Sequence, residues 1–389
     1  MRYRRSLDPV RADLNEKMVL LSGPRQCGKT TLAKSLISEN KGAYYNWDDD
    51  LDRKGLLHGN IDPSADLWIL DEVHKNRRWR NWLKGLYDSH HDSKKILVTG
   101  SARLELFVKG GDSLQGRYFS HRMMPVTLSE LNEREKFDPR GLFACDRIGK
   151  NMDDLLALGG FPEPLFKGSM RDADRWRLLY GTRLVRDEVS SLEQIQQLDR
   201  MELLYDRLGS CVGSVLSINS LREDIEVSFG TARKWIMAFE RLYGIFRVFP
   251  FGPPRVKAVK KEGKLYFYDW SRVESEAARL ENMIACHLLR LCFWMEDVEG
   301  QRCELRFFRT RVGHEVDFVV LKKGQPWFAV EVKTGDEPVE GGMRYLLERV
   351  KFPRAFQVHL KGLKDYETPP VGGCKVRVVP CSKFLMSLP

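Results

Sequence analysis

The sequence predicts an α/β protein in three parts: a parallel-sheet domain with a glycine-rich loop, a helical middle region with a winged-helix pattern, and a second α/β domain. Three observations predict this fold class. The apolar run 18–21 leads directly into the glycine-rich loop, two helical stretches over 218–243 are separated by a short turn, and the last third combines apolar strands with a long amphipathic helix over 277–294. The predicted domains are 1–150, 151–255 and 256–389.

The glycine-rich loop has the spacing of a glycine, four residues, and then Gly-Lys-Thr. Glycines let successive backbone N–H groups point at phosphate oxygens, the lysine reaches the outer phosphates, and the threonine hydroxyl can ligate Mg²⁺. A helix predicted over 31–37 would bring its positive N-terminal end to the same anion. We therefore expect ATP or ADP to bind the loop and the start of the helix: Gly23, Pro24, Arg25, Gln26, Cys27, Gly28, Lys29, Thr30 and Thr31.

A third apolar strand, 67–70, follows a second one at 43–47 and runs straight into Asp71 and Glu72. In a nucleotide site that begins with such a loop, Asp71 would join Thr30 in holding Mg²⁺, and Glu72 would polarise the attacking water. The competing interpretation is a strand followed by an ordinary acidic turn. The strand 95–101 ends in small polar residues, and Ser101 would place a hydroxyl near the terminal phosphate.

The middle region contains the winged-helix pattern. We predict a helix over 218–225, a second helix over 231–243 and a wing strand over 244–249. In a DNA-binding protein of this kind the second helix enters the major groove. A role in DNA binding is weakened by three acidic residues beside that helix, Glu223, Asp224 and Glu226. A module that serves only for packing is an equal alternative.

The C-terminal third places charged residues on neighbouring strands. Glu331 and Lys333 are separated by one residue, so both side chains project from the same face of a strand. Asp317 lies on the preceding strand and Glu281 on the long helix. We expect Asp317, Glu331 and Glu281 to hold a second divalent metal, Mg²⁺ or Mn²⁺, and Lys333 to position the attacking water. The alternative is a surface cluster of salt bridges on a sheet.

The composition bounds the partners and the compartment. A formal net charge of +10 is compatible with DNA as a partner. No apolar run is long enough to span a bilayer, the first six residues lack the apolar core of a signal peptide, and the eight cysteines are scattered without a Cys-x-x-Cys pair. We therefore expect a cytoplasmic protein without a membrane partner.

Taken together, these residues resemble prokaryotic AAA-type ATPases that carry a C-terminal domain of unknown function. The resemblance implies ATP hydrolysis by a homo-oligomer, such as a ring of six subunits or a similar number. It also implies a sensor role for Ser101 and an intersubunit role for Arg117. The planar guanidinium of Arg117 would stabilise the transition state of ATP hydrolysis in the neighbouring subunit. An ordinary loop arginine is the alternative. The motifs that carry the resemblance are Gly23–Thr30, Leu70–Glu72, Thr99–Ser101, Gly116–Arg117, Gly159–Glu163, Arg186–Asp187, Gly313–Phe318 and Glu331–Lys333.

The last of these motifs also looks like the signature of the PD-(D/E)XK nucleases, and the resemblance implies that fold for the C-terminal domain. Here the aspartate follows Glu315-Val316 in place of the usual proline. The first hypothesis is an oligomeric Mg²⁺-dependent ATPase that acts on DNA with a nuclease-like domain. The alternative is a nucleotide-gated switch, scaffold or protein remodeller whose nuclease fold is inactive. The catalytic residues of the first hypothesis are Lys29, Glu72, Ser101, Arg117 and Lys333.

Overall fold

The computed structural model describes residues 4–100, 114–132, 137–189, 197–252, 262–339 and 341–389. The chain divides into two compact units. Unit 1 comprises residues 1–125 with 241–243, and unit 2 comprises residues 126–240 with 244–389.

Unit 1 alternates strands and helices, as its sequence predicts. The strands predicted at 18–21, 67–70 and 95–101 are present close to those limits because each is a short apolar run closed by polar residues. The strands are β1 (Met18–Ser22), β2 (Gly42–Asn46), β3 (Leu67–Asp71), β4 (Lys95–Thr99) and β5 (Tyr118–Arg122). The helices are α1 (Leu7–Asp13), α2 (Lys29–Ser35), α3 (Ile37–Asn40), α4 (Asp50–Leu57) and α5 (Trp79–His90).

The sheet of unit 1 has the strand order β2-β3-β4-β1-β5, and every neighbouring pair among these strands is parallel. The predicted parallel sheet is therefore confirmed. Strands β1 and β3 are buried along their whole length, which is typical of parallel strands covered on both faces. Because all the strands run in one direction, the ends of β1, β3 and β4 meet at the same edge of the sheet, where ligands of such folds bind.

Unit 2 begins with helices and continues into a second sheet. Its helices are α6 (Leu128–Leu131), α7 (Met152–Leu158), α8 (Pro162–Lys167), α9 (Met170–Arg183), α10 (Leu198–Arg207), α11 (Ile218–Asp224), α12 (Phe229–Arg241), α13 (Glu276–Asp297), α14 (Gly342–Arg349) and α15 (Cys381–Met386). Its strands are β6 (Ile245–Pro250), β7 (Lys264–Phe267), β8 (Cys303–Arg309), β9 (Glu315–Lys322), β10 (Gln325–Lys333), β11 (Arg354–His359), β12 (Tyr366–Glu367) and β13 (Val376–Pro380).

The sheet of unit 2 is mixed, with the described strands in the order β12-β13-β11-β10-β9-β8-β6-β7. Strands β8, β9 and β10 form an antiparallel meander, and β11 continues parallel to β10. The two helices of the winged-helix pattern are present as α11 and α12. The predicted wing strand, β6, pairs with β7 and also with β8, so it belongs to the same sheet as the C-terminal strands. The winged-helix assignment and the three-domain boundaries stay predictions.

Helix α13 is the central helix of unit 2. Ser275 caps its N-terminus by accepting a hydrogen bond from the backbone N–H of Ala278, and most of its residues are buried. A helix that is apolar on several faces packs against protein all round, and α13 accordingly contacts β7, β8 and β9. Of the helices described in the chain, none combines the length and apolarity that a membrane span requires.

Candidate functional site

The glycine-rich loop connects β1 to α2 and depends on its two glycines. Gly23 has a φ of +146°, and a Cβ there would lie 2.2 Å from the carbonyl oxygen of Met123. Gly28, with a φ of +101°, is the N-cap of α2. Both conformations favour glycine, and at Gly23 there is also no space for a side chain. The backbone therefore forms the tight curve that the spacing predicts.

Lys29 begins α2 and turns back into the loop. Its side chain is 7% exposed, and its ammonium donates to the carbonyl oxygens of Gly23 at 3.0 Å and Pro24 at 2.7 Å. A lysine is rarely buried without partners, and here the loop itself supplies them. The structure thus holds one positive charge against the curved backbone, which suits an anionic phosphate ligand.

Asp71 lies at the end of β3 and gathers hydroxyl groups from three elements. Its Oδ2 accepts hydrogen bonds from Thr30 at 2.9 Å and from Tyr44 at 2.8 Å, while its Oδ1 accepts one from Thr99. The pairing of β3 with β2 and β4 sets this geometry, because it brings Asp71 beside Thr99 and near Tyr44. Thr30 and Asp71, expected to share Mg²⁺, are therefore in direct contact.

Tyr44 is a member of this cluster that the sequence analysis missed. Burial, followed by its hydrogen bond to Asp71, raises the pKa of the Tyr44 hydroxyl, so it remains a proton donor at every physiological pH. The ammonium of Lys34 lies 4.0 Å from the centre of its ring. The available signal was weak: a tyrosine near the end of a strand adjacent to the one that carries Asp71.

Glu72 leaves the sheet in an unusual backbone conformation. Its φ of +58° and ψ of +17° lie in the left-handed region, and its N–H donates to the carbonyl oxygen of Thr99 at 2.9 Å. A non-glycine residue held in this region costs about 1 kcal/mol and is enriched at functional sites. Its side chain is 20% exposed, with the His74 ring nitrogen 3.5 Å away and the Lys75 ammonium 3.7 Å away. The carboxylate is therefore accessible to water.

The remaining loop residues differ in their surroundings. Cys27 is fully buried, whereas Gln26 and Thr31 are exposed. Arg4, which the sequence analysis missed, is buried and donates to the carbonyl oxygen of Cys27 at 2.8 Å, so the N-terminal segment is tied to the loop. Ser101 lies outside the described residues.

Arg117 forms an ion pair within its own chain. Its guanidinium donates two hydrogen bonds to the Asp88 carboxylate, from Nε at 2.6 Å and from Nη2 at 3.1 Å. Its side chain is 30% exposed. The arginine is thus at the surface of unit 1, with a carboxylate as its partner.

Unit 2 contains the second predicted cluster. The pairing of β9 with β10 brings Asp317 next to Glu331, and Asp317 Oδ2 accepts the N–H of Val332 at 2.8 Å. Lys333 forms an ion pair with Glu331 at 3.0 Å. The sequence analysis predicted this juxtaposition from the two consecutive strands that carry Asp317 and Glu331.

Lys264, the first residue of β7, lies among these acids and was missed by the sequence analysis. Its side chain is 1% exposed, and its ammonium lies 3.2 Å from Glu281, 2.6 Å from Glu315 and 3.5 Å from Asp317. Burial acts to lower the pKa of Lys264, but the carboxylates, led by Asp317, outweigh it and raise that pKa. Lys264 is therefore charged, and its ion pair with Glu281 connects α13 to the sheet.

Two glutamates of this cluster, Glu281 and Glu331, have a raised pKa. Burial first, and the Asp317 carboxylate second, raise the pKa of Glu281 to about 7 and that of Glu331 to about 8. Both shifts have the same two physical causes: burial disfavours the charged form of the glutamate, and the nearby Asp317 carboxylate disfavours it further. Tyr266 donates to Glu281 at 2.6 Å.

The predicted second metal site finds no support in this geometry. Within the part of the chain that the structure describes, no three histidine, cysteine or acidic side chains are placed to hold a metal ion. The reason is physical. Glu281 and Asp317, two of the three expected ligands, direct oxygens at the Lys264 ammonium, and Glu331 pairs with Lys333.

Three family models match the chain in succession. Residues 15–132 match a family described as an AAA domain. Residues 149–275 match a domain of unknown function (DUF8612), and residues 277–384 match another (DUF4143).

The chain is also similar to whole proteins. An uncharacterised protein of Mycobacterium tuberculosis is 24% identical over 347 residues, which is 87% of this chain and 75% of the relative. An uncharacterised protein of Methanocaldococcus jannaschii is 24% identical over 389 residues, which is 86% of this chain and 79% of the relative. Among solved structures, a Walker-type ATPase of Pyrococcus abyssi is 15% identical and covers 72% of this chain and 96% of its own, with a TM-score of 0.43.

The match to the AAA model covers the parallel sheet, the glycine-rich loop and the strand that ends in Asp71. The family model and the geometry of the candidate site thus concern the same residues. The N-terminal part of the chain is therefore similar to an AAA domain, and its parallel sheet and glycine-rich loop fit a P-loop fold.

Proposed function

We propose that unit 1 is a Mg²⁺-dependent ATPase. The observation that carries this proposal is the contact between the Thr30 hydroxyl and the Asp71 carboxylate at 2.9 Å, beside a loop that encloses the Lys29 ammonium. Hydroxyl and carboxylate oxygens are the ligands that Mg²⁺ prefers. The donor set therefore fits the metal, and the curved backbone fits the phosphates.

In this proposal Thr30 and Asp71 would hold Mg²⁺, which when bound neutralises charge on the phosphates. Lys29 exchanges its hydrogen bonds to the loop carbonyls for bonds to phosphate oxygens, so its charge is already in place. Tyr44 and Thr99 keep Asp71 oriented through their hydroxyl groups. Glu72 orients a water molecule through its accessible carboxylate.

Phosphate release from ATP by the purified full chain tests the proposal. We expect turnover with Mg²⁺ and none with excess EDTA. Lys29→Ala should abolish nucleotide binding because it removes the charge within the loop. The matched control is Lys54→Ala, which removes a lysine from the exposed side of α4. If Lys29→Ala hydrolysed ATP as fast as the control, the site assignment would be wrong.

We propose that the active form is a homo-oligomer in which Arg117 acts on the nucleotide of a neighbouring subunit. The surface position of Arg117 supports this role, and in the single chain two hydrogen bonds hold its guanidinium against Asp88. To act in trans, Arg117 would exchange one carboxylate for phosphate oxygens, an exchange between two bidentate anionic partners. The ring size stays a prediction.

For unit 2 we propose a nuclease-like fold that binds a partner under nucleotide control and does not cut. The succession of a helix, three strands, a helix and a strand from α13 to β11 supports the nuclease-like fold. The ion pairs of Lys264 favour the inactive alternative over the nuclease. Cleavage of DNA or RNA with Mg²⁺ or Mn²⁺, lost in Asp317→Asn, would refute this proposal.

DNA is the partner that the net charge of +10 favours. We expect DNA to raise ATP turnover, and we expect the stimulation to weaken steeply with salt because phosphate contacts release counterions. Stimulation by an unfolded protein, with none by DNA, would instead indicate a protein remodeller.

A further inference from the structure

Lys264 is enclosed by three carboxylates that reach it from two different elements. Glu281 comes from α13, whereas Glu315 and Asp317 come from alternate positions of β9, at 3.2, 2.6 and 3.5 Å from the ammonium. Lysine is almost never fully buried unless it is paired, and its ammonium has three N–H donors. Three carboxylates around one ammonium therefore satisfy all of its donors.

The same oxygens are those that a metal ion would need. Glu281 Oε1 accepts hydrogen bonds from both Lys264 and Tyr266. Asp317 uses Oδ1 toward Lys264 and Oδ2 toward the N–H of Val332. A divalent cation bound to Glu281 and Asp317 would thus approach an ammonium already in contact with both. Like charges at such a distance repel strongly in a poorly solvated place.

Other elements pack against both Glu281 and Lys264. Gly213, with a φ of +73°, lies so close that a Cβ there would be 2.8 Å from Glu281 Oε2. Val215 forms a bridge with the backbone of Lys264 itself. The ring centre of Phe307 is 5.7 Å from the Lys264 ammonium. The lysine is thus built into the sheet on several sides.

We infer that the Lys264 ammonium is the resident cation of the acidic cluster in unit 2 and takes the place of the divalent metal that a nuclease-like fold would use there. This inference rests on the proposed nuclease-like fold of unit 2, but it does not depend on ATP hydrolysis by unit 1. It assigns Lys264 an ion-pairing role in place of metal catalysis and explains why the cluster would not cleave nucleic acid.

The test of the inference is the number of Mn²⁺ ions bound per chain. Electron paramagnetic resonance measures this number from the loss of the free-ion signal when Mn²⁺ is mixed with the full chain without nucleotide. Each protein is compared with its own Asp317→Asn form, so that binding elsewhere cancels. We expect no Asp317-dependent Mn²⁺ in the natural chain. Lys264→Met, which removes the charge and keeps most of the volume, should gain one Asp317-dependent Mn²⁺ per chain.

The matched control is Lys333→Met, which removes a more exposed ammonium from the same cluster while Lys264 stays in place. It should gain no Mn²⁺. A folded Lys264→Met chain that gains none would overturn the inference. Removing Lys264 leaves buried carboxylates without their cation, so this variant could fail to fold.

If Lys264→Met does not fold, the Mn²⁺ count of the natural chain tests the inference. Asp317-dependent Mn²⁺ binding by the natural chain would overturn the inference on its own, and its absence with Lys264 present would support it. A failure of the ATPase proposal, seen as unchanged ATP hydrolysis in Lys29→Ala, concerns unit 1 and leaves this measurement unaffected.

Discussion

His287 lies on the buried side of α13 with both ring nitrogens engaged. Its Nδ1 is 2.8 Å from the carbonyl oxygen of Met283, and its Nε2 is 3.1 Å from the backbone N–H of Leu128. The amide must donate, so Nε2 carries no proton and Nδ1 donates to the carbonyl. This arrangement suits only the neutral ring, because a second proton would fall on the nitrogen that accepts the amide.

Burial therefore lowers the pKa of His287 from 6.5 to about 4. The sign of the effect on stability follows from proton binding. Between these two values the unfolded chain takes up a proton that the folded chain refuses, so the free energy of unfolding falls as the pH falls. From about pH 7 to about pH 5 the loss is about 2 kcal/mol, and it reaches about 3 kcal/mol near pH 4, since one pKa unit corresponds to about 1.4 kcal/mol.

Urea unfolding at several pH values measures this loss. Fluorine NMR of 5-fluorotryptophan separates Trp270, whose ring centre is 5.8 Å from that of His287, from tryptophans in unit 1. The comparison is with His287→Gln, in which every other titrating group is unchanged. We expect the natural chain to lose about 2 kcal/mol more than the variant between about pH 7 and pH 5. Equal slopes for the two proteins would refute the reasoning.

The remaining predictions concern unit 1. Gly23→Ala should abolish ATP binding, measured by calorimetry, because its Cβ would lie 2.2 Å from the Met123 carbonyl oxygen. The control is Gly116→Ala, which is also at a positive φ but has open space around it, and this variant should bind ATP normally. Arg117→Ala subunits mixed into the natural protein should lower ATP turnover by more than their share if the arginine acts in trans, and a strictly proportional decrease would contradict that role. Asp88→Asn should raise turnover in the same assay because it weakens the pair that holds Arg117.

The sequence was sufficient to predict the site residues that lie in short motifs or on consecutive strands. The phosphate loop and the pair Asp71-Glu72 were predictable because each is a short pattern in which the spacing itself determines which groups converge. The juxtaposition of Asp317 and Glu331 was predictable because strand alternation fixes the face from which a side chain projects. The structure brings Thr30 into contact with Asp71 and pairs the two strands that carry Asp317 and Glu331.

Residues that arrive from distant parts of the chain were missed. Tyr44 reaches Asp71 only because β2 and β3 are neighbours in the sheet, and Arg4 reaches the loop across 23 positions of sequence. Lys264 begins a strand, where a lysine ordinarily faces solvent. Its burial depends on acids from α13 and β9, which no local pattern near residue 264 encodes.

The most direct test of the central claim compares ATP binding and ATP turnover in Glu72→Gln and the natural chain. The account assigns to Glu72 the orientation of water and to the loop the binding of nucleotide. Glu72→Gln should therefore bind Mg²⁺-ATP with nearly unchanged affinity while its turnover falls by roughly 10²–10⁴-fold, the usual contribution of such a group. Turnover within about twofold of the natural chain, or loss of binding in a folded variant, would contradict the account.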